Sequence, residues 1–194
     1  MSSRRFSGGG ALLLLVLGFS LMFSPVLRAQ KLQVSANTLG LLCLGTFNGE
    51  VNYAVSQHWS VGMSGKFNPF SYSMSGGDRQ FQMRQRSLSA VARWWPWHIY
   101  SGWWVSGRLQ WQEYNMGGFV SAQTEEGQRY GGGVTAGYSH MISEHFNVEM
   151  GLGVWGGFKQ YTVYACPTCG RKLEEGQKGF IMPSDFIVAI SYVF

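Results

Sequence analysis

The last ten residues, Asp185-Phe-Ile-Val-Ala-Ile-Ser-Tyr-Val-Phe194, constrain the fold more than any other stretch of the chain. Phe186, Val188, Ile190, Tyr192 and Phe194 recur at every second position. Asp185, Ile187, Ala189, Ser191 and Val193 take the alternate positions. A strict period of two is a β-strand with one strongly apolar face. A strand that closes the chain on an aromatic, with aromatics at both ends of that face, suits a membrane-spanning barrel strand with interfacial girdles.

The same alternation recurs upstream. Trp103, Val105, Gly107, Leu109 and Trp111 oppose Trp104, Ser106, Arg108, Gln110 and Gln112. Tyr130, Val134, Ala136 and Tyr138 oppose a run of glycine, Arg129, Thr135 and Ser139, and Phe146, Val148, Met150, Leu152 and Val154 oppose Asn147, Glu149, Gly151 and Gly153. Eight strands are expected, over 32–42, 47–56, 59–69, 86–95, 100–114, 128–141, 146–160 and 183–194. Short links (57–58, 96–99, 142–145) alternate with long ones (70–85, 115–127, 161–182), the rhythm of an outer-membrane barrel with tight periplasmic turns and longer outer loops. The expected fold is an all-β, eight-stranded antiparallel up-and-down transmembrane barrel. An interior of that size holds side chains and no open pore.

The N-terminus fits that destination. Arg4 and Arg5 precede the apolar run Ala11–Phe23, and Ala29-Gln30 follows Pro25. This is the layout of a signal peptide over 1–29, and the run is too short for a spanning helix. Residues 30–194 then form one barrel domain. Losing Arg4, Arg5 and Arg28 lowers the formal charge from +5 to +2, so the basic character is mostly targeting and does not argue for nucleic-acid binding. No later segment is apolar enough for a spanning helix.

Seven charges fall on the polar faces: Glu50, Lys66, Arg93, Arg108, Arg129, Glu149 and Asp185. In a membrane barrel they form an interior charge network, and in a soluble barrel they would meet water. Inner-face glycines, Gly131, Gly133, Gly137, Gly151 and Gly153, leave room for the long side chains. Trp59, Trp94, Trp95, Trp97, Trp103 and Trp104 read as an aromatic belt. His58, His98, His140 and His145 fall in or beside the short turns, away from the long loops, so a loop active site lacks a histidine base. Gly131-Gly-Gly133 precedes no helical pattern and is not a phosphate loop. Arg171, Lys172, Glu174, Glu175 and Lys178 mix both signs, as a solvated loop tip does. Cys166-Pro-Thr-Cys169-Gly170 brings two thiols to one side of a tight turn. In an oxidising compartment that pair closes a disulfide ring. The other readings are half of a tetrahedral zinc or iron site, shared with Cys43, a histidine or a second copy, and free redox thiols.

Tyr164-Ala-Cys166-Pro-Thr-Cys169-Gly-Arg-Lys-Leu-Glu-Glu-Gly-Gln-Lys178-Gly, followed by the Pro183 entry into Ser191-Tyr-Val-Phe194, resembles the Bacteroidota family called domain of unknown function 3575. Trp59-Ser-Val-Gly, Phe67-Asn-Pro69-Phe and Val91-Ala-Arg93-Trp-Trp95 match further stretches, while Leu39-Gly-Leu-Leu-Cys43 departs from the pattern. The resemblance implies a small outer-membrane barrel without established activity, some of whose relatives are associated with surface or fimbrial systems. The expected role is structural, surface-interaction or assembly and anchoring in the bacterial outer membrane, with no catalytic residue and no cofactor. The expected partners are outer-membrane lipid, the barrel-assembly machinery through the C-terminal strand, and a surface or fimbrial protein. The alternatives are an enzyme acting on envelope lipid or glycan, and a soluble periplasmic ligand-binding barrel.

Overall fold

The computed structural model describes residues 31–42, 45–73, 80–117, 123–166, 170–184 and 186–194. The expected signal peptide, Cys43, Cys169 and Asp185 lie outside the described residues. The elements in chain order are β1 (Leu32–Asn37), α1 (Thr38–Leu42), β2 (Phe47–Ala54), β3 (Trp59–Asn68), β4 (Ser71–Ser73), β5 (Gln80–Trp94), β6 (Gly102–Gly117), β7 (Thr124–Met141), β8 (Phe146–Tyr164), β9 (Lys172–Pro183) and β10 (Ile187–Val193).

Antiparallel pairing runs β1-β2-β3-β5-β6-β7-β8-β10 and returns to β1, a closed ring of eight. Register fixes its shape. From Phe146 the partners run Tyr192, Val34, Val51, Met63, Ala90, Leu109, Gly132 and back to β8 at Gly156, ten residues further along the strand. An eight-stranded ring with a stagger of ten residues tilts its strands by roughly 40° and has a backbone radius of roughly 8 Å, which side chains fill.

Polarity is inverted relative to a water-soluble barrel. Trp103, Val105, Leu109 and Trp111 of β6 are exposed, while Trp104, Ser106, Arg108, Gln110 and Gln112 between them are buried. In β10 the buried residues are Ile187, Ala189, Ser191 and Val193, while Ile190 and, just before the strand, Phe186 are exposed. The seams of the sheet are thus held by cross-strand contacts between apolar residues that face outward, such as Trp103 against Tyr138 and Phe146 against Tyr192.

The end that carries the short turns is plugged. The turn from β5 to β6 folds inward, bringing Trp95 and Tyr100 against Trp104, Ile187, Ala189 and Val193. Tyr100 adopts φ 62°, and its carbonyl accepts from Ser139 Oγ (3.0 Å) and Asn147 Nδ2 (2.7 Å). Those bonds hold a non-glycine residue in the left-handed region that it would otherwise avoid. Gly137 lets Trp104 in: a Cβ there would stand 2.4 Å from Trp104 Cζ2. Two of the tryptophans expected in a belt, Trp95 and Trp104, are therefore the floor of the barrel. They occupy inward-facing positions, and the belt reading took the cluster whole without separating its two faces.

Two turns at this end repeat one device. Val55-Ser-Gln-His58-Trp59 and Ile142-Ser-Glu-His145-Phe146 each place a serine hydroxyl as acceptor for the aromatic residue's N–H, at 3.1 and 3.2 Å. The histidine then donates from Nδ1 to the carbonyl of the adjacent chain, Trp95 or Val193, at 2.9 Å in both. These two histidines latch the turns to the chain beside them.

Four boundaries differ from the sequence expectation. The first strand ends at Asn37, and Thr38–Leu42, apolar on all sides, turns into one short helix. Asn37 stitches the place where the strand stops, with Nδ2 donating to the Phe186 carbonyl (2.9 Å). Long loops were expected over 115–127 and 161–182, yet β6, β7 and β8 continue as strands and β9 pairs along β8 from Tyr164 to Val154. The long loop expected over 70–85 likewise gives way to short β4 paired with β5, which already begins at Gln80. These extensions carry polar residues on both faces, so they lack the apolar alternation that identifies a half-buried strand. The result is a lopsided barrel: β5 to β9 form a tall wall, while β1, β2, β3 and β10 stop lower.

Candidate functional site

Two charge clusters occupy the inner surface. The lower one gathers Glu50, Arg93, Arg108 and Glu149, all buried, with Glu149 at 0% and Arg93 at 2% exposure. Arg93 Nη1 donates to Glu149 Oε2 at 2.8 Å, and its Nη2 donates to Glu50. Gln33 and Ser191 also donate to Glu149, Asn52 donates to Glu50 at 2.8 Å, and Arg108 stands 3.9 Å from Glu50. The Arg93 guanidinium lies 4.4 Å from the Trp104 ring, directly over the floor. Lys66 lines the same interior, whose cavity of about 40 Å³ has room for roughly one water. Each carboxylate thus has a cationic partner and neutral donors, which is what a charge needs to survive removal from water.

Arg129 does not join this network. It belongs to a second cluster on the inner face of the tall wall. Glu125 Oε1 accepts from Lys159 Nζ (2.5 Å) and Tyr114 OH (2.5 Å), with Arg129 Nη2 3.6 Å away. The Arg129 guanidinium lies 3.7 Å over the Tyr114 ring. Lys159 and Lys178 lie 4.7 and 5.0 Å from the Tyr161 ring, and Tyr161 OH donates to Glu174 at 2.5 Å. Of the charged residues expected at a solvated tip, Glu174 and Lys178 thus take part in the cluster, and Lys172 pairs with Glu175 at 3.1 Å. Burial and the hydrogen bond to Glu125 push the Tyr114 hydroxyl up to about 12.

Burial pushes the Glu125 carboxyl upward, but the bonds from Lys159 and Tyr114 and the charges of Lys159 and Arg129 outweigh it and hold the group below its ordinary 4.5. A group depressed in the folded state contributes stability that is complete above its unfolded value and is lost as pH falls through its folded value. Acidification below about pH 4.5 should therefore loosen the β7–β8–β9 wall before the ring. Hydrogen exchange at pH 7 and pH 3 should show lower protection factors, corrected for the intrinsic rate at each pH, in 159–164 and 172–178 at the lower pH, and Glu125→Gln should remove most of that difference. Equal protection at both pH values in the unaltered protein would refute it.

The sequence gives little hint of this second cluster, because Glu125, Lys159, Tyr161 and Lys178 lie in segments without apolar alternation. The readable sign was the in-register charge of Arg129 and Lys159, which face each other on β7 and β8. His98 and His140 sit at the short-turn end with the latching histidines, away from the tall-wall cluster; His140 is exposed and pairs in register with Val148, beside Glu149 on β8. Among the described residues no group of three or more His, Cys, Asp or Glu side chains is arranged to hold a metal ion. The alternatives raised for the Cys166 pair depend on Cys43 and Cys169, which lie outside the described residues.

A family model for a protein of unknown function, DUF3575, matches residues 12–194. The chain belongs to the DUF3575 family. Among curated proteins nothing matches. The DUF3575 match spans the closed ring, the tall wall and the Cys166 segment together, so these are parts of one family unit. What this DUF3575 chain offers chemically is an ion-paired, filled interior, a sealed floor and a polar wall.

Proposed function

We propose that this protein is a small outer-membrane barrel with a structural and surface-interaction role, the tall wall standing above the outer leaflet. The observation that carries the reading is the inverted polarity. A belt of exposed apolar side chains surrounds buried Arg93, Arg108, Glu50 and Glu149. In water that arrangement would expose the large apolar surface that soluble monomers avoid, and in lipid it is the stable one. From Trp103 to Trp111 the exposed face of β6 covers about 27 Å of strand, or about 20 Å along the barrel axis at the tilt derived above, close to the height of a barrel's apolar band. Aromatics mark both limits: Trp59, Trp94, Trp103, Tyr138 and Phe146 below, Phe47, Phe67, Trp111, Tyr130 and Phe158 above. The N-terminal signal read from residues 1–29 agrees with export. The small interior cavity and the Trp95–Tyr100–Trp104 floor support a closed barrel in place of a porin, and they also disfavour a soluble carrier of an apolar ligand.

The test is membrane fractionation with gel mobility before and after boiling. The protein should resist carbonate extraction, migrate differently when unboiled, and give no steady conductance in a planar bilayer. A Cys166–Cys169 ring belongs to the same reading, so the unreduced mature protein, once denatured, should titrate as one reactive thiol, Cys43. Release by carbonate with identical mobility before and after boiling would defeat the membrane assignment.

A further inference from the structure

The outer face of the tall wall differs from its inner face. Just above the aromatic row Trp111, Tyr130 and Phe158, the sheet aligns Glu113, Gln128, Gln160 and Gln177 across β6, β7, β8 and β9. The three glutamines are exposed and stand in register, each roughly 4.8 Å from the next. They line a groove of about 380 Å³, bordered by Glu126, Glu175 and Tyr164. Among the described residues no lysine or arginine lines it. Each amide offers both donors and an acceptor, so the row meets hydroxyl groups of either sense. The two cations nearest it are already neutralised, Arg86 by Glu113 at 2.5 Å and Lys172 by Glu175 at 3.1 Å, and Glu126 adds a further carboxylate, so a phosphate would have to compete with carboxylates for either cation.

Position selects the occupant. The groove opens sideways on the outside of the barrel, on the strands that carry the apolar belt and immediately beyond its upper rim. If the barrel spans the outer membrane as proposed, that level is the headgroup zone, and lipid headgroups are the molecules that lie against it. We infer that the Gln128–Gln160–Gln177 row is a lateral binding site for the neutral sugars in the headgroup of an outer-leaflet glycolipid. The acyl chains of the same lipid lie against Tyr130, Phe158 and the apolar surface below, so recognition is shared between a hydrogen-bonding row and a hydrophobic strip. The wall thereby selects the lipid that surrounds the barrel.

The inference rests on the membrane reading, and one experiment separates the two. The full mature protein is reconstituted into phosphatidylethanolamine vesicles containing a neutral glycosyl diacylglycerol, and bound lipid is counted by native mass spectrometry after release in mild detergent. Gel mobility of the same sample reports whether the barrel has inserted. The glycolipid should be retained in preference to phosphatidylethanolamine. Combined Gln128→Ala, Gln160→Ala and Gln177→Ala should cut that retention about tenfold, the loss expected from a few net hydrogen bonds, with phosphatidylethanolamine retention and gel mobility unchanged. Gln160→Arg, a single exposed substitution that fills the groove, should do the same. An inserted barrel with no glycolipid preference, or retention unaltered by these substitutions, would overturn the inference while leaving the membrane reading intact. Equal binding of the free headgroup sugar and the glycolipid would assign the groove to soluble glycans and would also overturn it. A barrel that fails to insert with its unaltered sequence would remove both.

Discussion

Arg93→Met should destabilise the barrel by about 3–5 kcal/mol, the loss that follows when one partner of a buried ion pair is removed. Arg93 is the common partner of Glu50 and Glu149, and Glu149 is fully buried. Without the guanidinium the two carboxylates face each other across a narrow interior, with Arg108, at 3.9 Å from Glu50, and Lys66, which lines the same cavity, as the cations left nearby. Methionine keeps much of the volume over Trp104, so the loss reports charge more than packing. Adding Glu50→Gln and Glu149→Gln should restore at least half of it, because a neutral interior no longer holds unpaired charge. Unfolding in urea, followed by the shift in gel mobility, gives both numbers. A loss below about 1 kcal/mol for the single variant, the size of an exposed pair, would mean that the network is solvated and that the interior assignment is mistaken.

Val134→Arg should block assembly or cost about 2–4 kcal/mol in lipid, although Val134 is 56% exposed. It lies midway between Tyr130 and Tyr138 on the outer face of β7, where the apolar belt would meet the centre of the bilayer. In a barrel bathed in water the same change on an exposed valine would be worth no more than about 0.5 kcal/mol. Gln128→Arg, on the same face of the same strand but above the belt, serves as the control and should be tolerated. Folding yield into vesicles, read by gel mobility, separates the outcomes. Equal yields for the two variants would deny any depth dependence and remove the lipid-facing belt.

What could be read from the residues follows from where apolar alternation exists. Trp103–Gln112 and Phe146–Val154 fall in strands because their two faces contrast sharply, and the same contrast assigns Arg108 and Glu149 to the inside. Above the belt both faces of the wall are polar, so Thr124–Gly127 and Lys172–Lys178 carry no such contrast and read as loops. The pairing that makes them strands is long-range register propagated from the ring, which no local pattern records. Arg129 was grouped with Arg93 and Arg108 for the same reason: period gives the face of a strand but not the height of a residue on it. Tilt decides that height, and with it whether Arg129 meets Glu50 or Glu125. The repeated turn containing Ser56 and His58, and again Ser143 and His145, was open to view as a sequence similarity, yet its meaning depended on the neighbouring carbonyls of Trp95 and Val193.

The handover at residues 184–186 has an evolutionary corollary. Strand β8 pairs with β10 below that point and with β9 above it, so closure of the ring never uses the upper hairpin. Lineages can lengthen, shorten or recolour that projecting crest in steps of two residues while circumference, inclination and sealed base stay as they are, which leaves one part of the molecule free to diversify.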